Sequence, residues 1–259
     1  MYSVTGRIKG VKQPRGGYIK PSEFEATDLN DGKELNNEEN IHTSVIGMAI
    51  DYLTRFIMGA DLTEAFKISI IGAGLAKKSG VATAEKEAEE YLSHIDGLDD
   101  NSIINACKMV TFDVWYRNPI AAMLAKTAKD TNPDNATIKN IKIMVERSIS
   151  FFKTYGPIIV DGFTFEPNGY TSTVSSGDGD FLTTDTLWDF KVSKSKPTNK
   201  HTLQLLMYWI MGQHSGKAEY KNITKLGIFN PRLNTAYLFN ISNVSADTIA
   251  DIEENVICY

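Results

Sequence analysis

Gly177-Asp178-Gly179-Asp180-Phe181-Leu182-Thr183-Thr184-Asp185-Thr186-Leu187-Trp188-Asp189-Phe190-Lys191-Val192 is the stretch on which the reading of this chain turns. Side chains alternate across a β-strand. In 187–192 that alternation sends Trp188, Phe190 and Val192 one way, toward a core, and Asp189 and Lys191 together the other way. Upstream, Asp180 lies in a second β-prone run, and the polar residues between Thr183 and Thr186 provide a tight turn. A hairpin over this distance brings the carboxylates of Asp180 and Asp189 together. Two carboxylates, a backbone carbonyl at Phe190 and waters make the oxygen-rich shell that Mg²⁺ prefers. A lysine beside such a site stabilises charge on a phosphate or orients a water. The alternative is a polar hairpin whose acids and lysine are merely solvated.

The pattern Asp/Glu-x-Lys alone decides little. It also occurs at Asp31-Gly32-Lys33 and Glu219-Tyr220-Lys221. The flanking strand favours Asp189, and so does the segment that follows. Residues 190–202 contain no acid, while Lys191, Lys194, Lys196 and Lys200 stand beside His201. Next comes a predicted helix from about Asn199 to His214, on which His201, Gln204 and Tyr208 share a polar and aromatic face. Those types suit contact with a phosphate and stacking on a base.

Gly179-Asp180, Asp189-x-Lys191 and Gln204-x-x-x-Tyr208 together resemble the RecB-like, lambda-exonuclease-like branch of the PD-(D/E)XK nucleases, over about residues 160–240. The resemblance implies an α+β, restriction-endonuclease-like core, a mixed sheet flanked by helices. It also implies Mg²⁺- or Mn²⁺-dependent hydrolysis of DNA, with Asp180 and Asp189 as metal ligands, Lys191 catalytic, and Gln204 and Tyr208 lining the DNA groove, with His201, Lys194 and Lys196 beside them. The family adds a further acid or histidine from an early helix. Asp51, one turn after Gly47, is the first choice and Glu146 the second; Arg55 shares a face with Asp51 and is an alternative partner for it. An exonuclease of the phage or mobile-element type is expected, acting in recombination or DNA processing, alongside an annealing or recombination protein. A catalytically silent nucleic-acid-binding protein on the same fold is the rival expectation. Exonuclease or endonuclease mode, strand polarity, DNA or RNA, and oligomeric state stay open.

The rest of the chain frames this reading. Of 259 residues, 42% are hydrophobic and 23% charged, as in ordinary globular proteins. The formal net charge of −5 means that attraction to nucleic acid must be local. Besides 190–202, the acid-free residues 1–22 carry Arg7, Lys9, Lys12, Arg15 and Lys20. Cys107 and Cys258 are too few for a disulfide framework, a cysteine zinc site or an iron–sulfur cluster. There is no GxxxxGK[ST] and so no fused motor. The apolar runs fall short of a membrane span and the start lacks a signal-peptide core, so a cytosolic protein is expected.

Apolar spacing predicts an N-terminal region, 1–156, with a short strand or hairpin over 2–35 and then helices. Ile41, Val45, Ala49, Leu53, Phe56 and Ile57 mark the first helix, and others cover about 62–78, 83 onward and 101–126, with Pro119 a candidate break in the last of these. The last starts after Asp134. Within 157–259, strands are predicted at about 158–165, 172–182, 186–192, 224–229 and 235–241, and a final helix over 246–257 capped by Ser245.

Overall fold

Thr186–Phe190 forms the strand predicted for it, deep in a six-stranded sheet. The structure, a computed structural model, describes residues 1–259. It divides into two compact units, one of Met1–Asn30 with Phe151–Tyr259, the other of Asp31–Ser150.

The chain opens with β1 (Tyr2–Ser3), α1 (Val4–Gly10) and β2 (Glu25–Asp28). Helices α2 (Thr43–Ile57), α3 (Leu62–Ala65), α4 (Lys67–Lys78), α5 (Ala84–Ser93), α6 (Asp100–Met109), α7 (Asp113–Arg117) and α8 (Pro119–Ala122) follow, then the long α9 (Asn135–Tyr155). Strands β3 (Val160–Phe163), β4 (Val174–Ser176), β5 (Gly179–Leu182) and β6 (Thr186–Phe190) lead into α10 (Asn199–Ser215). The chain ends with β7 (Lys225–Asn230), β8 (Thr235–Asn240) and α11 (Ala246–Asp251). The last of these continues as a π-helical turn over Ile252–Ile257, and Ser245 caps its start by accepting from Thr248 N at 3.1 Å. No helix is long and apolar enough to cross a membrane.

The large sheet has the order β2-β8-β7-β6-β5-β3. Only β6 and β7 run parallel, and α10 supplies the crossover that a parallel pair requires. Both faces are covered. On one, Leu182, Leu187, Leu226 and Ile228 pack with Leu203, Leu206 and Met207 of α10. On the other, Phe181, Trp188 and Phe229 pack with Phe151 at the end of α9. Gly227 pairs with Trp188, and a Cβ there would fall 2.3 Å from the indole ring, so glycine is what lets that ring lie flat on the sheet. The structure is thus α+β, with a mixed sheet flanked by helices.

Several predicted elements are corrected. Residues 4–10 are helical, because Ser3 caps Gly6 N and burying Val4 and Ile8 one turn apart outweighs two glycines. The strand predicted over 172–182 is two, separated at Gly177-Asp178; β4 pairs instead with β1. The helix over 62–78 breaks at Phe66, whose fully buried ring meets Tyr52 edge-on at 5.4 Å. The stripe on α2 is rotated, with Ile46 and Ile50 buried and Ile57 exposed. Where a helix with a candidate break at Pro119 was predicted over 101–126 there are three: Pro119 does open a new helix, α8, and the chain breaks again in a 3-10 turn at Val110–Phe112, where Asp113 turns inward. It is fully buried and accepts from Tyr52 OH at 2.6 Å and from the Ser69 hydroxyl. Burial pushes its carboxyl up, against the opposing pull of Ser69, Tyr52 and Arg117.

Candidate functional site

Strands β5 and β6 are antiparallel, with Phe181 opposite Trp188 and Leu182 opposite Leu187. The same register carries Asp180 to the position facing Asp189, where Cβ atoms on one face stand about 4.5–5.5 Å apart. Beyond Phe181 the ladder is closed by a side chain: Asp180 Oδ2 accepts the main-chain N–H of Phe190 at 2.5 Å. On the other side of β6, Lys191 N donates to Phe229 O at 2.9 Å. Gly179 precedes Asp180 for a steric reason. A Cβ there would lie 1.8 Å from the ring of Phe163, its partner on β3, and that ring meets Tyr208 of α10 edge-on at 5.8 Å.

Asp189 and Lys191 share a face, as the alternation predicts, and form an ion pair. Lys191 Nζ donates to Asp189 Oδ1 at 3.0 Å and lies 2.8 Å from Oδ2. The ammonium thus sits against both carboxylate oxygens and is the charge partner of this buried group. The face itself differs from the expected open one. Leu187, two residues before Asp189, belongs to the core beneath α10, and Asp189 is only 2% exposed. Lys191 is half-buried. Burial pulls its ammonium pKa down, but the negative charges of Asp189 and Asp180 outweigh that and hold it above its ordinary value.

Helix α10 places His201, Gln204 and Tyr208 on one side, but not as a base-stacking surface. Gln204 is 8% and Tyr208 3% exposed, and Gln204 Nε2 donates to the tyrosine oxygen at 2.8 Å. Burial, then the charge of Asp189, drives the Tyr208 phenol well above its usual range. Both side chains are therefore spent inside the protein. The signal was in the sequence: Leu203, Leu205, Leu206, Met207, Ile210 and Met211 leave only a narrow polar strip on this helix, the pattern of a largely buried one.

His201 Nδ1 accepts from Thr198 N at 3.2 Å, which leaves Nε2 as the protonated ring nitrogen. Burial lowers the His201 pKa, and Lys191 lowers it further against the opposing effect of Asp189. The unfolded chain then binds a proton near pH 6.5 that the folded protein refuses. Stability is full above that value and falls as the pH drops below it. His201→Gln is expected to flatten this part of the curve, measured by denaturant unfolding at neutral and mildly acidic pH. A curve unchanged by the substitution would exclude His201 as its source.

Lys194 and Lys196, on the segment between β6 and α10, and Lys200, in the first turn of α10, are exposed. Arg7, from the other basic stretch, is structural, donating to Val256 O and Asn255 O, each at 2.8 Å. In the second unit Asp51 is held by Arg55 at 3.0 Å and Glu146 by Lys33 at 2.6 Å, while His42 caps α2 by accepting from Ser44 N. The competing Asp/Glu-x-Lys matches are also used locally. Asp31 takes Arg147 Nε and Nη2, each at 2.9 Å, and Glu219 flanks the buried Tyr220 in a 3-10 turn. Neither unit gathers three or more His, Cys, Asp or Glu side chains into a metal cage. Comparison with protein-family models, with curated proteins and with solved structures finds no match.

Proposed function

We propose that this chain is a metal-dependent nuclease that hydrolyses phosphodiester bonds in DNA, with Asp180, Asp189 and Lys191 at its cutting site. The observation that carries the reading is the arrangement on β5 and β6. Two carboxylates face each other across an antiparallel pair, and a lysine two residues on sets its ammonium against the buried one. The α+β architecture with its mixed, helix-flanked sheet is the one the resemblance to PD-(D/E)XK nucleases leads one to expect.

The residues fit a hard divalent cation. Asp180 and Asp189 offer only oxygen, the donor type such an ion takes. Asp180 and Asp189 would hold Mg²⁺ or Mn²⁺, with main-chain oxygen at Phe190 as a further ligand. Such an ion, when bound, polarises the phosphate and makes a water acidic enough to attack near neutral pH. Lys191 places its ammonium where negative charge grows on the phosphate oxygens. Asp180 also fixes the β6 main chain through Phe190 N. Buried Gln204 and Tyr208 support the wall behind Asp189, and exposed Lys194, Lys196 and Lys200 offer the local positive charge that a chain of net charge −5 otherwise lacks. By the resemblance, the substrate is a DNA end and the setting recombination or DNA processing, with an annealing protein as partner.

A second reading, a silent nucleic-acid-binding protein, draws on one observation: Asp189 is already neutralised by Lys191. One experiment separates the two. End-labelled linear DNA and covalently closed circles are incubated with Mg²⁺, Mn²⁺, Ca²⁺ or EDTA. Cleavage is expected with Mg²⁺ and Mn²⁺ alone, confined to linear DNA for an exonuclease, and Ca²⁺ should support a gel shift without cutting. Full cleavage in EDTA would sink the metal-dependent reading, and a gel shift without cutting under every condition would favour the silent one.

A further inference from the structure

The second unit carries a feature that nuclease chemistry does not use. A cavity of about 560 Å³ is walled by Ile41, Val45 and Met48 near the start of α2, Val114 of α7, and Ala121 and Leu124 at α8. Beside it the chain presents a projecting apolar ridge. Ile120, Met123 and Leu124 are 82%, 76% and 91% exposed, and their spacing of three and four residues puts them on one side of the turn. Three large apolar side chains this bare and this close together mark a surface that is covered in use.

The occupant follows from what lies side by side. Leu124 belongs both to the ridge and to the cavity wall, so hole and knob adjoin on a single face. A small apolar molecule could fill the hole, but it would leave Ile120 and Met123 in water. A two-fold pair of identical chains resolves both at once, because each copy then sets its ridge in the cavity of the other. The charges at the rim fit the same solution. Lys126 and Asp130 both line the cavity, one of each sign, so a two-fold axis can bring each cation to the anion of the other copy. A strongly acidic or basic partner would find an unfavourable charge there. Asp130 also accepts from the Thr127 hydroxyl at 2.6 Å, which holds its carboxylate at the rim.

We infer that the face formed by α8, the start of α2 and the rim residues Lys126 and Asp130 is a self-association surface that pairs two copies of this chain. The pairing is independent of whether the chain cuts DNA. An interface of ordinary size buries about 800 Å² on each partner, and a ridge of three side chains with its matching hole is the apolar centre of such a patch.

Sedimentation velocity of the full chain over a wide concentration range tests this. The expected species has twice the 28.8 kDa chain mass. Leu124→Glu should return it to the single-chain mass with an unchanged circular-dichroism spectrum, since the side chain it alters is exposed. Charge exchange gives a second, independent arm. Lys126→Asp alone sets acid against acid and should weaken the pair by roughly tenfold or more, and adding Asp130→Lys should restore it. A single-chain mass at all concentrations overturns the inference. So does a dimer indifferent to Leu124→Glu, or a single chain that instead co-sediments with anionic lipid vesicles through Leu124.

Discussion

Lys191→Met is expected to lower the unfolding free energy by about 3–5 kcal/mol, the usual cost of stranding one member of a buried ion pair. The partner it strands, Asp189, has a side chain only 3% exposed and no other cation within ion-pair distance. Left alone, that carboxylate is a buried charge with no counter-ion. Asp189→Asn combined with Lys191→Met removes both charges and should cost clearly less than the single change. Chemical denaturation of the single and double variants measures both losses. Equal losses for the single and double variants would show that the pair contributes little. Because Lys191 is also proposed to act in cleavage, its loss of activity is to be read only where the folded fraction is high.

The second large effect lies on the opposite face of the sheet. Phe151 is fully buried and stacks on Phe229 at 4.0 Å and on Tyr155 at 4.8 Å, with Trp188 edge-on at 4.8 Å. Phe151→Ala removes a ring from the centre of this cluster and leaves a cavity that rigid neighbours cannot close. The expected cost is about 3–5 kcal/mol. Phe151→Leu, which fills most of the space, should recover a large part of it. A loss below about 1 kcal/mol for the alanine variant would mean the cluster is softer than its packing implies.

Period-two alternation was enough to put Asp189 and Lys191 on one face, and the polar turn at Thr183 to Thr186 was enough to set Asp180 opposite Asp189. Helix α10 and strands β7 and β8 were likewise legible, because each combines a clear apolar pattern with a turn signal. What could not be read was which face is covered. Alternation says that two side chains point the same way, but not that a helix lies over them. The buried bond between Gln204 and Tyr208 was missed for this reason, although the apolar girth of α10 carried the hint. Pro119 marked its own break, but those at Phe66 and at Val110–Phe112 were hidden because they depend on tertiary events, the burial of Phe66 and of the Asp113 carboxylate. Strand β2 could not be placed within the short strand or hairpin expected over 2–35. Its four residues are all exposed, and it is a strand only because β8 offers it an edge.

That last pairing bears on how the protein is made. Leu29 and Asn234, which close the junction of β2 and β8 by a pair of hydrogen bonds, are 205 residues apart. At ordinary rates of translation, β2 emerges roughly 10 to 40 s before the strand it joins. Throughout that interval it is a short stretch of main chain with unsatisfied donors and acceptors and no native partner. Its small length and the acids at its two ends, Glu25 and Asp28, discourage premature pairing with foreign strands. The nascent chain is thereby kept in a waiting state, and the outer border of the sheet is sealed only once β8 has been made.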